Sequence, residues 1–291
     1  MVVSYGCFVV NDALIKALGN ELPASQTVFI RGVFAACWVM LALLATGVRL
    51  RPSEHVGRAI VARGVLDCLA TFAYIASLLH MPLGNAISIN MAAPLMVTAL
   101  AVLMLGERVD GLRWAAIVVG FGGVLLLVRP SAEGFNAWAL LCLLATLMHS
   151  VRDLVTRRID RQVPSLVVTL VTALTIVVVS GAACAVLPWE PVSLRALGLL
   201  AAASVFLFGG YFFVILSTRI GQLSAVAPFR YSGLPIGLFI GWVVWGEVPD
   251  APGWIGIVLL IGAGLYLLYR ERVLKRSEDS SNQSSAPSDA S

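Results

Sequence analysis

The chain has 291 residues, 59% of them hydrophobic and only 12% charged, with a mean hydropathy of +0.91. A soluble domain carries about 25% charged residues, so a water-soluble fold is excluded. The net charge is +4, and its placement matters more than its size.

Ten apolar spans follow one another: Val2–Leu18, Gln26–Val48, Ala59–Leu79, Gly84–Leu105, Leu112–Val128, Ala137–Thr156, Pro164–Leu187, Leu194–Leu216, Ser224–Trp245 and Trp254–Tyr269. Most reach the ~20 residues that a helix needs to cross the hydrocarbon core, and lipid offers the backbone no partners, so helices are expected throughout. Connections are short and carry the breakers Pro23, Pro52, Pro82, Pro130, Pro188, Pro191 and Pro249. Met1–Val10 has no basic region, and Asn11-Asp12 interrupts its apolar run, so it does not read as a cleaved signal peptide. This first span is short, which leaves room for a start upstream of Met1. Cys7, Cys37, Cys68, Cys142 and Cys184 all fall inside apolar segments without CxxC spacing and read as small buried hydrophobes. Ser277–Ser291, rich in Ser and Asp, reads as a disordered tail on the cytoplasmic side.

The spans form two sets. Gly106-Glu107 and Gly246-Glu247 stand 140 residues apart; each is followed by a Trp seven residues past the Glu, Trp114 or Trp254, and by a Gly eight residues further on, Gly122 or Gly262. The repeats are Met1–Arg129 and Gly134–Arg270, with five spans each, and an odd number of spans turns the second unit over relative to the first. The fold class expected is therefore an all-α membrane protein with ten transmembrane helices as two inverted five-helix repeats. With the N-terminus inside, fifteen Lys and Arg residues (Arg49, Arg51, Arg58, Arg63, Arg108, Arg113, Arg152, Arg157, Arg158, Arg161, Arg219, Arg270, Arg272, Lys275, Arg276) fall on the cytoplasmic side and only Arg129 and Arg195 outside. That asymmetry puts both termini in the cytoplasm.

The segments Asn85–Arg108 with Trp114–Pro130, and their counterparts Ser224–Val248 with Trp254–Arg270, resemble the ten-helix EamA-type branch of the drug/metabolite transporter superfamily. A narrower likeness lies in Asn11-Asp12 with Lys16, Phe29-Ile30-Arg31-Gly32, and Ala227-Pro228-Phe229-Arg230-Tyr231, which look like a bacterial subgroup of S-adenosylmethionine and riboflavin uptake carriers. The resemblance implies a central cavity between the halves, built mainly from spans three, four, eight and nine.

An ionisable group at mid-membrane costs roughly 2.5–3.5 kcal/mol on insertion scales, so each one needs a partner or a wet cavity. Asp12 and Lys16 are one turn apart in the favourable order for a pair, although Lys16 is near enough to the outer end to snorkel. Arg31 is expected either to clamp Asp12 or to hold an anionic or carbonyl group of the substrate. Asp67 and Arg230 sit at similar depth from the inner side and are expected to meet, as a static pair or as one that opens with substrate. Phe229 and Tyr231 flank Arg230 and offer a planar substrate a stacking surface. Pro228 and Pro235 make span nine a kinked, gating helix, with Pro94, Asn85 and Asn90 as the weaker equivalent in span four. Gly237 and Gly241 read as close packing, and His149 is a candidate proton carrier. The substrate-binding set is thus Arg230, Phe229, Tyr231, Arg31, Asn90 and Asp67; the proton-coupling or gating set is Asp12, Lys16, His149, Pro94, Pro228 and Pro235.

No Gly-rich phosphate loop ending in Gly-Lys-Ser/Thr occurs, so ATP is not expected to be used. His-Glu-x-x-His and Gly-x-Ser-x-Gly are also missing, which argues against an intramembrane enzyme, and the three histidines have no metal-ligand spacing. The expectation is an inner-membrane secondary transporter without metal or cofactor. Its partners are a small-molecule substrate and the lipid bilayer, with proton coupling, no nucleic acid, and a monomeric or weakly dimeric state. Uptake of a heterocyclic nutrient, riboflavin and then S-adenosylmethionine, stands first; export of amino acids or their derivatives stands second, and a passive channel is disfavoured by bent helices in both halves.

Overall fold

The computed structural model describes residues 1–47, 57–106, 110–128, 137–156, 158–159, 162–187, 189–220 and 227–284. The order is α1 (Val2–Leu18), α2 (Ala24–Thr46), α3 (Arg58–Leu78), α4 (Leu83–Asn90), α5 (Ala93–Leu105), α6 (Gly111–Val128), α7 (Ala137–Thr156), α8 (Ser165–Val186), α9 (Leu194–Ile220), a 3₁₀ segment (Ala227–Ser232), α10 (Gly233–Trp245) and α11 (Ala251–Ser284). No strand occurs among the described residues. Counting α4 and α5 as one unit, eight helices are long and apolar enough to cross a membrane. The other two elements are α1, of 17 residues, and α10, of 13, which the 3₁₀ segment precedes.

Large apolar side chains point outward. Leu44, Leu103, Val118, Val178 and Val258 are 65–75% exposed, which only a lipid surround makes favourable. Inward, small and polar groups let the helices approach. Ser4 Oγ donates to the Gly210 carbonyl (2.8 Å), tying α1 to α9, and Trp38 Nε1 donates to Ser204 Oγ (3.1 Å), tying α2 to α9. In the α6–α11 contact the backbones meet at Gly123 and Gly256, where a Cβ built on either would stand 2.6 Å from the other's carbonyl oxygen. Arg270 Nε closes one end of this contact on Asp110 Oδ2 (2.9 Å).

Four helix pairs carry the packing: α1 on α9, α3 on α7, α2 on α8 and α6 on α11. Lesser contacts join α3 to α8, α9 to α2, α5 to α7 and α10 to α1. The repeated glycines have one local cause. Gly106 (φ 67°, ψ 21°) and Gly246 (φ 67°, ψ 18°) both end a helix in the left-handed region, where a side chain is strained. Glu107, the partner of the first glycine, and Arg129 lie outside the described residues, as do Arg49, Arg51 and Arg108.

Breaks fall where proline removes a donor. Residues 91–92 form a turn between α4 and α5, and Pro94 opens α5 at its second position. In the other half the interruption is the 3₁₀ segment that holds Pro228, and Pro235 is already the third residue of α10, where its missing N–H costs nothing. The expected tail needs correction. α11 continues to Ser284, because no Gly or Pro interrupts 265–284; residues 285–291 lie outside the description.

Candidate functional site

A cavity of about 1370 Å³ runs through the middle of the bundle. It extends from Asn11, Asp12, Asn90 and Met91 to Thr46, Thr156 and Pro164 at the ends of α2, α7 and α8, with Arg63 about a turn and a half inside α3. The expected residues Asp12, Arg31, Asp67, Asn90, Pro94, His149 and Arg230 all line it, contributed by α1, α2, α3, α4, α5, α7 and the 3₁₀ segment. So do Tyr5, Phe8, Tyr74, Phe208, Tyr211 and Phe212, which give it an aromatic wall. Among the described residues no group of His, Cys, Asp and Glu forms a metal-binding cluster.

The partnerships inside the cavity differ from those expected. Asp67, 6% exposed, pairs with Arg152 rather than Arg230. The reason is packing: α3 runs along α7, which carries Arg152, whereas the 3₁₀ segment of Arg230 rests on α1. His149, one turn before Arg152, brings Nε2 to 3.9 Å from Asp67 Oδ1, and Asp153 holds Arg152 from its other side at 2.7 Å. Arg230 turns to Tyr5, its Nε donating to the phenolic oxygen at 3.1 Å.

Asp12 does not pair with Lys16. Its carboxylate accepts the Tyr74 hydroxyl (2.8 Å) and the Asn11 amide (2.9 Å). Arg31, 8% exposed, donates Nη1 to Asn11 Oδ1 at 3.5 Å, so Asn11 stands between the acid and the guanidinium. Asn11 sits directly beside Asp12 in sequence, and its amide can serve both charges at once.

Lys16 lies in the last turn of α1 and does not line this cavity. Its ammonium forms an ion pair with Glu247 Oε1 and donates to the Met81 carbonyl at 2.8 Å, with the Trp245 ring 5.1 Å away. Glu247 Oε2 also accepts the Leu83 N–H at 2.8 Å, capping the start of α4. Three elements, α1, α4 and the turn after α10, thus meet on one carboxylate. Nearby, Arg195 Nη1 reaches Glu21 Oε2 at 3.0 Å, and the Gln26 side chain bonds both backbone groups of Glu190 at 2.9 and 3.0 Å.

Phe229 and Tyr231 do not share the cavity with Arg230. Phe229 is 54% exposed; Tyr231 is buried against α11 at Gly264, and its hydroxyl has no partner among the described residues. In a 3₁₀ helix successive side chains point about 120° apart, so neighbours of a cavity residue must face elsewhere. The side chain of Pro228 lies outside the description. Sequence reading missed Arg152 and Arg63, counted as surface charges, and Tyr5, Tyr74, Asn11 and Glu247. For Arg152 one signal was present: it stands four residues inside the end of its span, with His149 one turn earlier.

Among the described residues, a helical, lipid-facing bundle around a large, mostly apolar cavity with charged side chains in its wall defines a multi-pass membrane protein. The sequence profile of the EamA-like transporter family matches residues 1–129 and 136–270, and the chain belongs to that family. Curated relatives bear transporter names. The S-adenosylmethionine uptake transporter of Rickettsia prowazekii (strain Madrid E) is 27% identical over 281 residues, 94% of this chain and 92% of that protein. The riboflavin transporter of Rhizobium johnstonii is 26% identical over 86% of this chain and 82% of its own length. The pseudopaline exporter of Pseudomonas aeruginosa is 28% identical over 89% of this chain and 91% of its own. One crystal structure, 19% identical, superposes with a TM-score of 0.66 over 94% of this chain and 97% of that chain, a likeness of fold.

Proposed function

We propose that the protein is a secondary transporter of the bacterial inner membrane that moves a small heterocyclic metabolite by alternating access. The observation that carries this is the asymmetry of the two ends. Among the described residues the cavity extends to Thr46 at the end of α2, Thr156 at the end of α7 and Pro164 just before α8, with Arg63 about a turn and a half inside α3, whereas the other end is bridged by the Lys16–Glu247–Leu83 junction. Lys16 and Glu247 are then the gate that parts when that end opens, and the breaks before Pro94 and at Pro228 are where spans four and nine bend.

The two-fold, inverted plan is supported by the packing pattern. Exchanging α1 with α7, α2 with α8, α3 with α9, the α4–α5 unit with the 3₁₀–α10 unit, and α6 with α11 turns the principal helix contacts into one another: α1–α9 into α3–α7, α3–α8 into α2–α9, and α5–α7 into α1–α10, with α2–α8 and α6–α11 each mapping onto itself. Ten spans with units Met1–Arg129 and Gly134–Arg270, both termini cytoplasmic, follow from that plan and from the basic asymmetry. The open end is then the cytoplasmic one.

Substrate residues are Arg230, Arg31, Asn90 and Asp67, joined by Arg152 and the aromatic wall. Asp12, between Tyr74 and Asn11, is the proton carrier, and His149 beside Asp67 is the second titrating group. No ATP is used. Riboflavin and S-adenosylmethionine are the first substrates to test, since relatives along most of the chain carry those names. Export is the second reading, favoured by the pseudopaline exporter at similar identity.

Two measurements test the proposal. Growth rescue of a riboflavin-auxotrophic bacterium lacking its own carrier tests riboflavin, and uptake of labelled S-adenosylmethionine in the same cells tests the second candidate; the intact chain is expected to transport one of the two. A cysteine at Asn90 in a cysteine-free background is expected to react with an impermeant thiol reagent from the cytoplasmic side, and from the outer side only after Glu247→Ala. Equal reactivity from both sides without that substitution would make the protein a pore and end the alternating-access reading.

A further inference from the structure

Four arginines line the large cavity: Arg31, Arg63, Arg152 and Arg230. Arg152 holds Asp67 and Asp153, and Arg31 shares Asn11 with Asp12. Arg63 spends Nε and Nη1 on the hydroxyls of Thr156 and Thr172.

Arg230 is arranged differently. Its Nε donates to Tyr5, and the carbon of its guanidinium lies 5.9 Å from the centre of the Tyr5 ring. A phenol, neutral below about pH 10, orients the cation without balancing its charge. None of the ion pairs among the described residues involves Arg230, and neither of its terminal nitrogens has a hydrogen-bond partner there. Those two nitrogens are the planar fork that binds a carboxylate or phosphate through two parallel bonds. The one acid that acts on its charge, Asp153, does so from a distance and is itself paired with Arg152, so a bound anion would complete the site.

The wall beside it is aromatic. Tyr5 meets Phe8 edge-to-face with ring centres 5.7 Å apart, and Phe8 meets Tyr211 at 5.2 Å, all three on the cavity surface. Such a ladder offers faces to a planar ring within reach of the guanidinium.

We infer that Arg230, propped by Tyr5, is the oxyanion receptor of this cavity, and that the transported molecule is a planar ring system bearing a carboxylate or phosphate. The inference rests on the transport reading and names the chemistry of its substrate. It also replaces the expected stacking role of Phe229 and Tyr231 with one for Tyr5, Phe8 and Tyr211.

The test uses the purified full chain and two matched probe pairs that differ in the oxyanion: S-adenosylmethionine against its decarboxylated form, and riboflavin 5′-phosphate against riboflavin. In at least one pair the oxyanion-bearing member is expected to bind about tenfold or more tightly, the scale of a charge-assisted hydrogen bond. Arg230→Gln should bring that pair to near parity, and Tyr5→Phe, which leaves the fork charged but unpropped, should lose part of the difference. Parity in both pairs with the intact chain, no binding by either oxyanion-bearing probe, or an advantage that survives Arg230→Gln would each overturn the inference. Cysteine accessibility at Asn90 reports on alternating access without any ligand, so failure of the transport reading is seen separately.

Discussion

Replacing Arg152 with alanine would strand the carboxylate of Asp67 inside the bundle. Asp67 is 6% exposed, with Arg152 its direct partner and His149 further off at 3.9 Å. Removing one member of a buried ion pair costs about 3–5 kcal/mol, mostly through the charge left behind. Here the lower end applies, about 3 kcal/mol, because both groups border a cavity that water can enter. That is roughly a hundredfold in the folded-to-unfolded ratio, at 1.4 kcal/mol per tenfold. The assay is thermal unfolding of a detergent-solubilised fluorescent fusion, together with its yield in the membrane. Arg152→Ala should lower both, and adding Asp67→Asn should recover much of the loss, since nothing charged is then stranded. Arg230→Ala strands no acid and should reach the membrane in near-normal amounts yet transport poorly. The reasoning fails if Arg152→Ala is as stable as Arg230→Ala, or if Asp67→Asn deepens the Arg152 defect.

Asp12→Asn keeps the side-chain shape and removes the titration, so transport should lose its dependence on pH and proton gradient while counterflow exchange persists; uptake by the unaltered protein that ignores uncouplers would refute a proton carrier there. Tyr231→Phe removes a buried hydroxyl without a partner among the described residues and should be neutral or raise stability by about 1 kcal/mol in a thermal melt. Gly264→Ala overlaps that hydroxyl and should cost about 1–3 kcal/mol, and less once Tyr231 is Phe. The hydrogen bond from Arg270 holds the Asp110 carboxyl below the usual carboxylate range. A depressed folded value means the stabilisation is full above the unfolded value of about 3.9 and is lost as pH falls through the folded one. Melting temperature should therefore drop below about pH 4, and the drop should shrink in Asp110→Asn.

Much of this molecule is legible in one dimension because lipid punishes polarity. An acid or a guanidinium in an apolar run needs a partner or something wet, and this singled out Asp12, Arg31, Asp67, His149 and Arg230, all of which line the cavity. Which of them touch is another matter. Pairing depends on helix rotation and on which helices are neighbours, and Asp67 meets Arg152 only because α3 runs along α7. Lys16 was drawn toward Asp12 by spacing, yet the end of α1 delivers it to Glu247, 231 positions away. Phe229 and Tyr231 misled because neighbours in sequence were taken as neighbours in space, which a three-residue turn forbids. The Gly-Glu repeat signalled a helix end correctly through its glycine; what its second glutamate does, capping α4 and holding Lys16, needed coordinates.

The meeting of α6 and α11 at Gly123 and Gly256 bears on how such a molecule can move. Interfaces that switch between two packings do so by letting side chains trade one set of holes for another. Where Gly123 meets Gly256, main chain lies against main chain with no knob to trade, and Arg270 on Asp110 fastens one end of the contact. At these two glycines a change of packing would have fewer side chains to exchange than elsewhere in the bundle, which marks this flank as a part expected to move as one body.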